Sequence, residues 1–222
     1  LSKGAKWAVA DDPDLNGKEQ IIVVPNVLST LQQLAAYHRQ QFTIPVLGIT
    51  GTNGKTTTKE LVQIVLEKKY QVVATKGNYN NHIGVPLTLL RIEASTQLAI
   101  IEMGANHQGE IGFLSKLADP EFGIITNIGK AHLEGFGSYE TVKATKNELY
   151  EHIHSGNGTL IVNADDEVLM NLSKAVEHRL TYGTSGKVKG SFSENQGLLN
   201  VDWAFENGPD HHVKTQLFGA FN

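Results

Sequence analysis

The residues with the plainest chemical promise lie in VLGITGTNGKTTT, Val46 to Thr58. An apolar run (Val46, Leu47, Ile49) breaks into Thr50-Gly51-Thr52-Asn53-Gly54-Lys55-Thr56-Thr57, and apolar residues return at helical spacing at Leu61, Ile64 and Val65. That order is strand, glycine loop, helix. Backbone N–H groups close on a phosphate only where no Cβ intervenes, so Gly51 and Gly54 permit the approach, and the helix N-terminus adds the positive end of a dipole. Lys55 is placed to reach the outer phosphates of a nucleotide and the Thr56 hydroxyl a magnesium ion. The strict pattern G-x-x-x-x-G-K-[ST] asks for glycine where Ile49 stands, with Gly48 one place earlier, so the match is partial. A plain glycine turn is the alternative, and the flanking strand and helix argue against it.

Three further residues carry possible chemistry. Glu102 ends the apolar run Leu98-Ala99-Ile100-Ile101. A carboxylate at the tip of a buried strand needs a partner, which magnesium supplies; a surface acid is the other reading. His132 lies in NIGKAHLEGFG among glycines and beside Glu134, suited to a ligand or orienting role. His107 and His82 follow less strongly, and His38, His152, His154, His178, His211 and His212 read as surface or internally satisfied residues. Lys146 shares one stripe of its helix with Val142, Leu149 and Ile153. Either its stem packs and its ammonium snorkels, or the amine is desolvated inside a site. The segment GNYNNHIG places Asn78, Asn80 and Asn81 close together, as an oligo-polar ligand or an ordinary loop would require.

Positioning these residues falls to an alternating pattern. Strand-like runs occur at 46–50, 70–75, 98–103, 122–127, 159–163 and 179–182, with helical patterns at 57–69, 85–91, 110–117, 138–154 and 167–177. Such alternation predicts an α/β fold: a mainly parallel P-loop sheet flanked by helices, with ligands beyond the carboxyl ends of its strands. After Lys187 the rhythm changes to short alternating runs at 190–194, 198–205 and 212–218, predicting a small antiparallel β portion near the C-terminal end. Before the loop, Lys6–Ala10 and Ile21–Val24 read as short strands and Ser29–Gln40 as a helix, with Ser29 or Thr30 near its start. Residues 1–40 are expected to be the end of a preceding domain plus a linker helix, and 41–222 a central domain. The chain is expected to be truncated at both ends, with a further C-terminal domain absent.

Composition narrows the classes. The 222 residues are 40% apolar, carry a net charge of −4 and include no cysteine. That excludes disulfides and zinc–thiolate sites, and the absence of a basic run argues against nucleic-acid binding. No apolar run approaches a membrane span and no signal-peptide core is present, so a cytoplasmic protein is expected. A monomer is expected.

Taken together, these stretches resemble the Mur ligases, ATP-dependent enzymes that build the peptide of the bacterial cell-wall precursor. TGTNGKTT is similar to the phosphate loop of that family, which accounts for the departure from the strict pattern. GNYNNHIGVPLTLLR, EMGANHQGEI and AHLEGFGS resemble the member type that adds D-alanyl-D-alanine, and KGAKWAVADD with IIVVPNVLSTLQQLA resembles the end of its UDP-substrate-binding domain. The resemblance implies that Gly51, Thr52, Asn53, Gly54, Lys55, Thr56 and Thr57 hold ATP. Two Mg2+ ions are implied, held by Thr56, Glu102, His132 and Lys146, the last carbamylated by CO₂ into a carboxylate. Lys55, Glu102, His132 and Lys146 then carry catalysis. Asn78, Asn80 and Asn81 match a loop contacting the UDP-muramoyl peptide, and Asn127 and Asn222 match positions near the adenine. The implied partners are UDP-MurNAc-tripeptide and D-Ala-D-Ala, joined through an acyl phosphate. Competing expectations are a sister Mur ligase or a folylpolyglutamate synthetase-like ligase, and a nucleotide-binding module without turnover.

Overall fold

A computed structural model describes residues 4–129 and 136–218. Strands β1 (Ala8–Ala10) and β2 (Ile21–Val23) form a small parallel sheet of their own. Helix α1 (Val27–Gln40) follows. Its N-cap is Asn26, whose side chain accepts from the Ser29 N–H at 2.7 Å, so the helix starts earlier than Ser29 or Thr30 would have set it. The chain then alternates: β3 (Val46–Thr50), α2 (Lys55–Leu66), β4 (Val72–Ala74), α3 (Gly84–Leu89), β5 (Leu98–Glu102), α4 (Glu110–Ala118), β6 (Phe122–Ile125), α5 (Tyr139–Ser155), β7 (Thr159–Asn163), α6 (Glu167–Leu172) and β8 (His178–Gly183). Strands β9 (Val188–Asn195), β10 (Leu198–Phe205) and β11 (His211–Phe218) close it.

The main sheet has nine strands in the order β11-β10-β9-β8-β7-β6-β3-β5-β4. Pairs from β4 through β9 are parallel, and β9-β10-β11 is antiparallel, as the change of rhythm after Lys187 predicts. Strand β3 lies between β5 and β6, so the chain builds outward from it first on one side and then on the other. Its carboxyl end is the switch point where such sheets bind ligands.

All five residues of β3 are buried, because helices cover both faces of the sheet. Period-2 alternation sends Val46 into one core, with Ile101, Met103, Ile125 and Leu149, and Leu47 and Ile49 into another, with Ile100, Ile124 and the partly buried Val62 and Leu66 of α2. Gly48 explains the imperfect motif: a Cβ there would stand 2.7 Å from Met103 Cε and 3.1 Å from Leu149 Cδ1. This glycine serves strand–helix packing, and the glycine loop proper begins at Gly51.

Helix α1 packs on the same core through Ala35. Its buried Arg39 donates to the carbonyls of Phe42 at 2.6 Å and Ala118 at 3.0 Å. Helix α2 differs from expectation in the face it presents. Leu61, Ile64 and Val65 are exposed, and the inward side is formed by Val62, Leu66 and, fully buried, Lys59. Among the described residues no helix is long and apolar enough to cross a membrane.

Candidate functional site

The carboxyl ends of β3, β4 and β5 converge on a cavity of about 750 Å³, lined by Gly51, Thr52, Lys55, Asn78, Asn80, Asn81, His82, His107 and Lys146, among others. Residues scattered over some hundred positions of sequence thus share one space. His132 and Asn222 lie outside the described residues.

Gly51 has φ +146, and a Cβ there would collide with the Thr126 hydroxyl, so glycine is required. Asn127 clasps the loop from behind: its Oδ1 accepts from the Asn53 N–H at 3.1 Å, and its Nδ2 donates to the Asn53 carbonyl at 3.0 Å. Gly54, at φ +76, is the N-cap of α2 and supplies no side-chain acceptor. The other helices end differently. Asn26, Ser138 and Asp166 cap α1, α5 and α6; Asn81 Oδ1 accepts from the Ile83 and Gly84 N–H groups at the start of α3; Glu148 accepts from Gly109 and Gly112 at the start of α4. Among the described α-helices only α2 has no side-chain acceptor at its N-terminus, where Lys55 lines the cavity. Exposed N–H groups at the positive end of a helix suit an anion.

Lys55 folds back over this loop, its Nζ donating to the carbonyls of Gly51 at 2.9 Å and Thr52 at 3.0 Å. Burial holds its ammonium below the ordinary lysine range, with Glu102 pulling the other way. Lys146 comes from α5, whose buried face is Val142, Thr145, Lys146, Leu149, Tyr150 and Ile153, as helical phase predicts. Only 3% of it is exposed. Its Nζ stands over the Phe136 ring, 5.8 Å from the centroid, and makes no hydrogen bond among the described residues. Burial first, and the Lys55 charge second, push the Lys146 amine down to about 8, against the opposite pull of Glu148 and Glu110.

Glu102 is fully buried behind Asn80. Its Oε1 accepts from Asn80 Nδ2 at 2.7 Å and from the Thr56 hydroxyl at 3.1 Å, while Oε2 has no partner among the described residues. A desolvated carboxylate oxygen without a donor is costly unless something else binds it. A hard cation that prefers oxygen ligands meets that requirement, and Thr56 adds a second oxygen, so these residues fit magnesium. Across the cavity, and against the upward push of burial, the N–H groups of Asn106 and His107 and the His107 ring hold the Glu110 carboxyl below its ordinary range. His107 is thereby tied to the entrance of α4.

The three asparagines divide: Asn78 lines the cavity, Asn80 is bonded to Glu102, and Asn81 is committed to the start of α3. Sequence reasoning missed Lys59, whose ammonium reaches the carbonyl of Thr75 at 2.7 Å. The available signal was its place three residues after Thr56, on the side of α2 shared with Val62 and Leu66.

Comparison with known proteins completes the description. Residues 49–222 match the Mur ligase middle domain. The UDP-N-acetylmuramoyl-tripeptide–D-alanyl-D-alanine ligase of Bacillus subtilis (strain 168) is 43% identical over 164 residues, covering 74% of this chain and 35% of that protein. Among solved structures, crystal structure I of MurF from Acinetobacter baumannii superposes with a TM-score of 0.89 at 32% identity, over 99% of this chain and 49% of that one. MurF ligase from Thermotoga maritima in complex with ADP gives 0.84 at 30% identity, over 96% and 50%. The chain spans between a third and a half of the length of these relatives.

Proposed function

The chain belongs to the Mur ligase family, and from that premise we propose that it is the ATP-handling part of a ligase joining D-Ala-D-Ala to UDP-MurNAc-tripeptide in peptidoglycan precursor synthesis. The observation that carries the reading is the cavity at the switch point, where the uncapped N-terminus of α2 with Lys55 and the buried Lys146 meet, and behind whose Asn80 stands Glu102 with an oxygen that has no partner among the described residues. Binding of ADP by the Thermotoga maritima relative supports it.

In this reading the segment Gly51 to Thr57 cradles the ATP phosphates with its backbone N–H groups. Lys55 exchanges its loop carbonyls for the outer phosphate oxygens. Thr56 and Glu102 would hold magnesium, with His132 and a carbamylated Lys146 as ligands of a second ion, and when bound these ions would supply positive charge where the anionic carboxylate and triphosphate meet. The terminal carboxylate of the tripeptide attacks the γ-phosphorus and ADP leaves with the electron pair, giving an acyl phosphate. The D-Ala-D-Ala amine then attacks that carbonyl, loses a proton and expels inorganic phosphate. Lys55 neutralises charge on the transferred group at a preorganised position. Asn78, Asn80 and Asn81 line the side where the muramoyl peptide enters, and Asn127, with Asn222, belongs to the adenine end.

At Lys146 the chemistry is balanced simply: a neutral amine adds to CO₂, forming an N–C bond and releasing one proton, and a carboxylate replaces a desolvated cation. In a full-length protein carrying this chain, phosphate release should require both UDP-MurNAc-tripeptide and D-Ala-D-Ala. Lys55→Ala and Glu102→Ala should each abolish it while circular dichroism stays unchanged. Wild-type turnover in either variant refutes the assignment.

A further inference from the structure

Lys59 takes no part in the chemistry above, yet it is fully buried. Its Nζ donates to the Thr75 carbonyl at 2.7 Å and the Gly77 carbonyl at 3.4 Å, and it pairs with Glu60 Oε1 at 2.7 Å. An ammonium is held out of water only where partners replace its hydration. An apolar side chain would pack beside Val62 and Leu66 without desolvating a charge, so what the lysine adds is its grip on the backbone at residues 75 and 77.

Those two carbonyls open the segment that carries Asn78, Asn80 and Asn81. Thr75 also accepts, through Oγ1, from the Glu102 N–H at 3.0 Å. Further along, Asn80 is seated against Gly104, whose N–H donates to the Asn80 carbonyl at 2.8 Å and where a Cβ would stand 2.7 Å from Asn80 Oδ1. So seated, Asn80 donates to Glu102 Oε1, which also receives the Thr56 hydroxyl. The path closes on itself. Helix α2 carries both Thr56 and Lys59; Lys59 holds the start of the asparagine segment; that segment delivers Asn80 to Glu102; and Glu102 returns to Thr56.

We propose that Lys59 is a positioning residue that, through this closed path, fixes the Glu102 carboxylate relative to the Thr56 hydroxyl and so sets the affinity of the site for magnesium-bound nucleotide. The inference rests on the nucleotide and magnesium reading given above. Groups that orient a metal ligand from behind typically change metal affinity by about ten- to a hundredfold when removed.

The test is calorimetric titration of this chain with ATP, in Mg2+ and in EDTA, for wild type, Lys59→Met, Asn80→Ala and the double variant. Wild type should bind more tightly in Mg2+. Each single variant should lose about tenfold or more of that magnesium enhancement, with a smaller loss in EDTA, and the double variant should lose no more than the worse single one. An intact enhancement in Lys59→Met, or losses that multiply in the double variant, overturns the proposal and leaves the nucleotide reading standing. A wild-type chain without any magnesium enhancement overturns both. If Lys59→Met does not fold, Lys59→Leu, which likewise removes the donor, replaces it and is judged by the same two outcomes.

Discussion

Two lysines of this protein are almost equally buried and share little else. Lys59, beneath β4, gives its ammonium to two carbonyls and a carboxylate. Lys146, on the cavity wall, has the face of Phe136 nearby and no hydrogen bond among the described residues. Burial is the same penalty in both places, so the partners decide what each residue is for. A satisfied ammonium is a structural tie. One without a hydrogen bond among the described residues, its amine pushed down to about 8 chiefly by burial, gives up its proton more readily, as the carbamate proposed above requires.

Exchanging the two phenotypes would break this contrast. In a full-length protein carrying this chain, Lys146→Met should lower ligation by about a hundred- to a thousandfold, the scale of removing a preorganised electrostatic group from a reacting site. Its urea midpoint should stay near that of wild type. Lys59→Met should do the reverse in stability, costing about 1–3 kcal/mol in urea unfolding, because it leaves the Thr75 carbonyl without its donor; the half-exposed Glu60 loses little. A stability loss at Lys146 matching that at Lys59 would erase the distinction.

Carbon-13 bicarbonate sharpens the same contrast. A carbamate signal should appear in wild type, vanish in Lys146→Met and persist in Lys59→Gln. It should grow as pH rises through about 8, since only the neutral amine adds to CO₂. The stability term has the matching sign. The folded amine gives up its proton at lower pH than the unfolded one, so between about 8 and the ordinary value of 10.5 the unfolded chain binds more protons and stability rises with pH. The smallest effect is expected at Asn81→Ala. Losing its acceptor at the start of α3 should cost about 1 kcal/mol in thermal unfolding and leave the magnesium enhancement of ATP binding intact, unlike Asn80→Ala.

Much of this was readable in the sequence because it was local or periodic. The runs at Val46–Thr50 and Thr159–Asn163 became strands with the same bounds, since apolar segments between turn residues have few other outcomes. Helical phase alone put Lys146 on the inward stripe, while the choice between snorkelling and burial was left to the structure. It did not do so for Lys59, because Leu61, Ile64 and Val65 form the more apolar stripe of α2 and point it outward; only the sheet decides which side of that helix is covered. The Asn80–Glu102 bond joins a loop residue to the last residue of β5, and no spacing rule announces such a meeting. Nor does composition distinguish Asn81, spent on a helix start, from Asn80 beside it.

Gly48 leaves a different kind of trace. Its missing side chain is space already taken by the Met103 methyl and Leu149. In the history of such a chain the glycine is therefore not free to drift alone: a larger residue at 48 requires the Met103 methyl to swing aside and Leu149 and Pro120 to give, which smaller residues at 103 or 149 would ease. Substitutions at these three positions should travel together among descendants, while Gly51 changes with none of them.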